Sequence, residues 1–239
     1  MPHTLFTLAA HADVAKFELE DGVIRVAGGE ILRNESTITR LLIDVPTERT
    51  TQFSVETFAS DWDAMLLISA ESTADSRPEN ADVLLAESAV ISGKYDVTVL
   101  ELRDIDKEWV GTATPGSKVS FILTCSAGVD SASFDDWLMS ATSDLADQND
   151  DGGARIITPV RSANDPPFDA ILSFWFSTQD DLDAAVEEQR FGSILASHLV
   201  ETGSTRAMSS VEHRRQPNPN AWTMPDGPLM PVPEPEPES

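Results

Sequence analysis

Two spacings of apolar residues recur along the chain, one of two residues and one of three to four, and they predict strands interleaved with helices. Leu5 to Ala9 reads as a short buried strand. Val14, Phe17, Ile24 and Ile31 follow at a partly helical spacing, although Phe17 to Val26 reads equally as a hairpin around Asp21-Gly22. Ile38 to Val45 is a strand ended by Pro46, and Ala64 to Ala70 is another. Asp82 to Ala89 is helical and stops before Gly93, after which Tyr95 to Arg103 alternates as a strand.

The pattern then repeats. Lys118 to Thr124 is a strand, and Ser133 opens a helix with Phe134, Trp137, Leu138 and Leu145 on one side. Gly152-Gly153 breaks that helix before the strand Ala154 to Val160. Pro166-Pro167 turns the chain into the strand Phe168 to Phe176. Thr178 caps a helix with Asp180 and Asp181 in its first turn, where the helix dipole favours acidic groups. Phe191 to Val200 continues helically, Gly203 ends it, and Arg206 to Arg214 is the last strand.

Both halves therefore read β-α-β-β-α-β, and short stretches answer each other in order. Thr39-Arg40-Leu41-Leu42-Ile43 corresponds to Ala154-Arg155-Ile156-Ile157-Thr158, Trp62-Asp63-Ala64-Met65-Leu66 to Phe168-Asp169-Ala170-Ile171-Leu172, and Val99 to Arg103 to Ser210 to Arg214. This correspondence favours the helix over the hairpin near Asp21-Gly22. The expected fold class is α+β, with two tandem ferredoxin-like repeats, residues 1–111 and 117–215, closing one intramolecular α+β barrel. Thr112 to Gly116 is the linker, and residues 216–239 form a Pro-rich acidic tail.

A chain of 239 residues with 41% hydrophobic content is long enough to bury a substantial core. Its net charge of −25 repels nucleic-acid backbones and anionic membrane surfaces, so neither is an expected partner. The single cysteine, Cys125, forms no internal disulfide, and no signal-like or membrane-spanning run stands out. A cytoplasmic setting is therefore expected.

Lys118-Val119-Ser120-Phe121-Ile122-Leu123, the helix start Ser133-Phe134-Asp135-Asp136-Trp137, the strand Phe174-Trp175-Phe176 with its acidic helix, and Val211-Glu212-His213-Arg214 together resemble the EthD-type members of the dimeric α+β barrel group. The resemblance covers the second half of the chain well and the first half poorly. It implies a small-molecule cavity between two sheets. It also implies kinship in fold with cofactor-free decarboxylases, cyclases and monooxygenases acting on aromatic polyketides, and with haem enzymes similar to chlorite dismutase. Ala146-Asp147-Gln148 stands where that family usually carries a histidine.

Alternation nominates the cavity residues. Asp169, Ile171, Ser173 and Trp175 share one strand face that mixes polar with aromatic character, the combination a ligand pocket uses. His213 is the expected acid or base because imidazole titrates near neutrality; Glu212, its strand neighbour, points to the opposite face. Arg155 and Arg40 occupy matching second-strand positions where a guanidinium can clamp a carboxylate, and His11 follows the first strand. No metal site is expected: Asp147 to Gly152 opens like a calcium loop, but Thr158 stands where a bidentate Glu is required.

The expected function is a cofactor-independent lyase, a decarboxylase for a small aromatic or apolar carboxylic acid of the kind met in aromatic compound catabolism. Arg155 or Arg40 would hold the acid, Trp175, Asp169, Ser173 and His11 would bind the rest, and His213 would return the proton. The alternatives are a non-catalytic binding barrel for an apolar ligand and a haem protein with His198 as axial ligand. A pseudo-dimer of this kind closes its own barrel, yet two such units often associate further, so a homodimer is a candidate assembly.

Overall fold

A computed structural model describes residues 3–25, 31, 37–46, 63–71, 79–105, 117–147, 153–160 and 168–215. The linker at 112–116, the first-half Trp62, most of the calcium-loop-like segment and the tail at 216–239 lie outside these residues.

In the first half the order is β1 (His3–Ala10), α1 (Lys16–Ile24), β2 (Ile38–Pro46), β3 (Ala64–Ala70), α2 (Glu79–Ala86) and β4 (Ile91–Ile105). The second half gives β5 (Ser117–Leu123), α3 (Ser131–Asp147), β6 (Ala154–Pro159), β7 (Ala170–Trp175), α4 (Gln179–Glu187), the short α5 (Gly192–Leu195) and β8 (Arg206–Arg215). The strands close into a barrel in the order β1-β3-β2-β8-β5-β7-β6-β4, with every pairing antiparallel. Each half contributes four adjacent strands. The halves meet at two seams, β2 with β8 and β4 with β6.

Alternation divides each strand between two apolar environments. Phe6, Leu41, Ile43, Leu66 and Ile68 face outward beneath α1 and α2, and Phe121, Leu172 and Phe174 face outward beneath α3 and α4. Leu5, Leu42, Leu67, Ile122, Ile157 and Ile171 point the other way and pack together inside the barrel. Both faces are therefore buried, which is why the strands read as apolar runs.

Asp21-Gly22 lies within α1 rather than at a hairpin tip. Leu19, Gly22 and Val23 form the buried face of this helix, and a Cβ on Gly22 would stand 2.5 Å from Val90 Cγ2 and 3.3 Å from Val90 Cβ. The glycine is there for close approach, not for a turn. Gly22→Ala is expected to cost about 1–3 kcal/mol through overpacking against a stiff β-branched neighbour, although alanine favours an exposed helix by up to about 1 kcal/mol. Thermal denaturation of the variant tests this, and a rise in midpoint would contradict it.

The helix expected over Asp82 to Ala89 runs Glu79–Ala86, and Gly93 lies inside β4 rather than at the helix end; two more boundaries differ for clear local reasons. The helix expected from Ser133 begins at Ser131, because Asp130 serves as its cap: the Ser133 backbone N–H donates to Asp130 Oδ1 at 2.9 Å and the hydroxyl to Oδ2 at 2.7 Å. These hydrogen bonds hold the Asp130 carboxyl below its usual range. The helix expected from Phe191 to Val200 is only the single turn of α5. Gln189 adopts a left-handed φ of 57° and ends α4. Phe191 then drops into the core, with its ring centroid 5.0 Å from Phe121 and 5.8 Å from Phe174. Past α5 the chain pairs with the segment after β5, where Ser126 N–H donates to Leu199 O and Glu201 N–H to Thr124 O.

Candidate active site

The second-half strands place a cluster of charged groups on the inner wall of the barrel. On β5 the inward residues are Lys118, Ser120 and Ile122, on β6 Arg155 and Ile157, on β7 Ile171, Ser173 and Trp175, and on β8 Met208, Ser210 and Glu212. On β2, Asp44 shares its face with Leu42 and lies directly opposite Glu212 across the seam. Two carboxylates are thus brought face to face, and two cations hold them there.

Lys118 Nζ donates to Asp44 Oδ1 at 2.9 Å, to Asp44 Oδ2 at 2.8 Å and to Glu212 Oε2 at 2.9 Å. Arg155 Nη1 donates to the same Glu212 oxygen at 2.7 Å. Lys118 and Arg155 are each 1% exposed and Glu212 is fully buried. Both cations pack against Trp175, its ring centroid 5.2 Å from Lys118 Nζ and 4.8 Å from Arg155 Cζ. Each such contact contributes about 0.5–2 kcal/mol when desolvated. Burying four ionic groups is nonetheless costly, and an apolar replacement of similar volume is often as stable.

Asp44 carries the chemical interest. Burial raises its carboxyl above the ordinary value near 3.8, and the nearby Glu212 adds to the rise, while Lys118 and Arg155 pull against it. The net effect favours the neutral acid in the fold more than in water.

The sequence-nominated residues do not gather in one place. Arg155, Trp175 and Ser173 belong to the inner wall, where Ser173 Oγ lies 2.8 Å from Ser120 Oγ. Arg40 shares the inner face of β2 by alternation and is half-buried opposite Ser69, whose hydroxyl is 2.6 Å from His3 Nδ1. His213 is on the outer face of β8, paired with Ile43, with Nε2 3.3 Å from Glu20 Oε1 on α1, so it does not meet the inner cluster. His11 is exposed after β1, and His198 is exposed in the turn after α5.

Asp169 leaves the face it was expected to share with Trp175. A bend at this residue precedes β7 and breaks the alternation: Phe168 packs among the inner apolar residues, and Asp169 Oδ2 accepts the Cys125 backbone N–H at 2.6 Å. There it borders a cleft of about 560 Å³ with Cys125, Ser126, Phe134, Thr158 and Val160. Lys118, Asp44, Glu212 and Ser210 are the site residues that the sequence reading did not nominate. Their shared signal is a polar side chain on the same strand parity as the inner apolar residues.

Among the described residues, no group of three or more His, Cys, Asp or Glu is arranged to hold a metal ion, and no helix is long and apolar enough to cross a membrane.

The fold and its inner wall define an α+β protein with a large antiparallel sheet and ferredoxin-like architecture. Solved structures share that fold. An anthrone oxidase-like protein superposes with a TM-score of 0.60 at 10% identity, over 91% of this chain and 93% of the other. A candidate monooxygenase from Fusobacterium nucleatum superposes with a TM-score of 0.57 at 7% identity, over 90% and 94%. Another from Lactobacillus acidophilus NCFM gives 0.51 at 11%, over 90% and 96%. No protein-family model matches the chain, and no curated relative matches it.

Proposed function

We propose that this protein is a cofactor-independent enzyme that decarboxylates a small aromatic or apolar acid inside the barrel, which two tandem ferredoxin-like repeats, 1–111 and 117–215, enclose in the EthD manner. The observation that carries the reading is the buried Asp44 carboxyl, raised by desolvation and set among Lys118, Glu212 and Arg155 beside Trp175. In the protonated form of Asp44 that the reaction uses, Lys118, Arg155 and Glu212 hold one positive charge in excess. That excess suits one substrate carboxylate in dry surroundings.

Loss of neutral carbon dioxide leaves the bonding electrons on the ring carbon, and the protonated Asp44 returns a proton to it. Trp175 offers a flat face to the ring. In this reading Asp44 takes the donor role that the sequence suggested for His213. Arg155 retains an electrostatic role, fixed in place by Glu212.

The fold shared with an anthrone oxidase-like protein favours a second reading, in which ionised Asp44 instead removes a proton from an aromatic carbon acid that then reacts with oxygen. Incubation with a panel of aromatic acids and hydroxyaromatics separates the two. Carbon dioxide release is expected from an acid without oxygen uptake. Oxygen uptake alone would replace the first reading with the second, and neither signal would leave a non-catalytic binding barrel.

A further inference from the structure

The helices over the second half-sheet are apolar on one side and acidic on the other. Phe134, Leu138 and Leu145 of α3 and Leu182 and Ala185 of α4 belong to the core beneath. Outward, α3 exposes Asp135, Asp136 and Asp144, and α4 exposes Asp180, Asp181 and Glu187. Neither helix contains a lysine or arginine, along 17 residues in α3 and 9 in α4. Asp130 and Asp181 stabilise the helix starts they bond, but other carboxylates work against the fold. Asp144 and Glu187 stand in last turns that hold no basic residue, beside the negative pole of each helix, where a carboxylate is destabilising. Asp180, Asp183 and Glu187 follow at spacings of three and four, which sets like charges side by side. Arg190, just beyond α4, bonds Glu188.

We propose that this fold is built for concentrated monovalent salt, and that a diffuse layer of potassium or sodium ions is the partner the acidic faces of α3 and α4 take. This stands apart from the decarboxylase reading. The Debye length falls from about 10 Å at 0.1 M to about 3 Å at 1 M, so salt screens exposed carboxylates one helical turn apart without any ion being bound in a site. The net charge of −25 adds a self-repulsion that the same screening relieves. Lys118, Asp44, Glu212 and Arg155 are out of its reach, because buried pairs are screened much less. The salt dependence therefore belongs to the helix layer and not to the inner network.

Urea denaturation of the full chain, followed by far-ultraviolet circular dichroism, tests the proposal. Between about 0.05 M and about 2 M KCl the wild-type midpoint is expected to rise by about 1 M urea or more, and NaCl should act alike. Unfolding without urea at the lower salt, reversed by added KCl, would be the same result at its limit. Asp144→Asn/Glu187→Gln leaves helix propensity nearly unchanged. The variant should outlast the wild type in dilute salt and match it in concentrated salt. A wild-type midpoint independent of KCl would overturn the proposal. An equal rise in wild type and variant would overturn it as well, because the salt would then act through apolar burial and not through these carboxylates.

Discussion

Lys118→Met is expected to destabilise the fold by about 3–5 kcal/mol at neutral pH, the usual cost of removing one partner from a buried ion pair. Methionine fills most of the space of the lysine stem, so the loss is electrostatic. The three hydrogen bonds from Nζ disappear together, and Asp44 and Glu212, which face each other across the β2–β8 seam, lose the cation they share. A domain with a total stability of about 5–15 kcal/mol would feel this strongly. Urea denaturation measures the effect. The deficit should shrink in acid, where the carboxylates take up protons. The double variant Lys118→Met/Asp44→Asn should recover a large part of it, because the repelling pair is then broken. A deficit below about 1 kcal/mol in the single variant would show that the seam does not depend on this charge network.

The strands were legible in the sequence because both of their faces are buried, so each stands out as an apolar run between Gly, Pro and polar breaks. Ala64–Ala70 matches its expected bounds, and Thr178 caps α4 as its position suggests, its hydroxyl accepting the Asp181 N–H. The extents of helices were less legible where tertiary contacts decide them. Phe191 leaves the helical path to fill the core, and Gly22 serves a contact with Val90 that no local signal reveals.

The site was half legible for a similar reason. Alternation along one strand put Trp175 and Ser173 together, and the paired-arginine argument reached Arg155. Lys118, Asp44 and Glu212 meet through three strands separated by 74 and 94 residues, and which strand lies beside which is fixed by the closure of the barrel. Alternation did carry the information that Glu212 and His213 face opposite ways. Titration chemistry drew the sequence reading to the histidine, whereas the fold turned the carboxylate inward. Asp169 shows the opposite failure: alternation was extended one residue past the bend that starts β7.

Asp44→Asn is expected to lower turnover of a decarboxylated acid by about 10²–10⁴-fold, the range that a positioned acid or base contributes. Asparagine keeps the shape and can still accept from Lys118, so binding of the acid should change less than kcat. The pH profile carries the sharper signature. A group that must be protonated gives activity at low pH that declines as pH rises through its pKa, and burial places that decline above the usual carboxylate range. The variant should lack this limb. Stability follows the same linkage with a definite sign. A raised carboxyl in the fold contributes stability that is fully present below the unfolded value near 3.8 and is lost as pH rises through the folded value. Relative to the wild type, Asp44→Asn should therefore fare better at pH 7 than at pH 4 in denaturation experiments. A variant with undiminished turnover would remove Asp44 from the chemistry. A stability difference independent of pH would instead show that the carboxyl titrates alike in the folded and unfolded chain, so that burial gives it no special proton affinity to use.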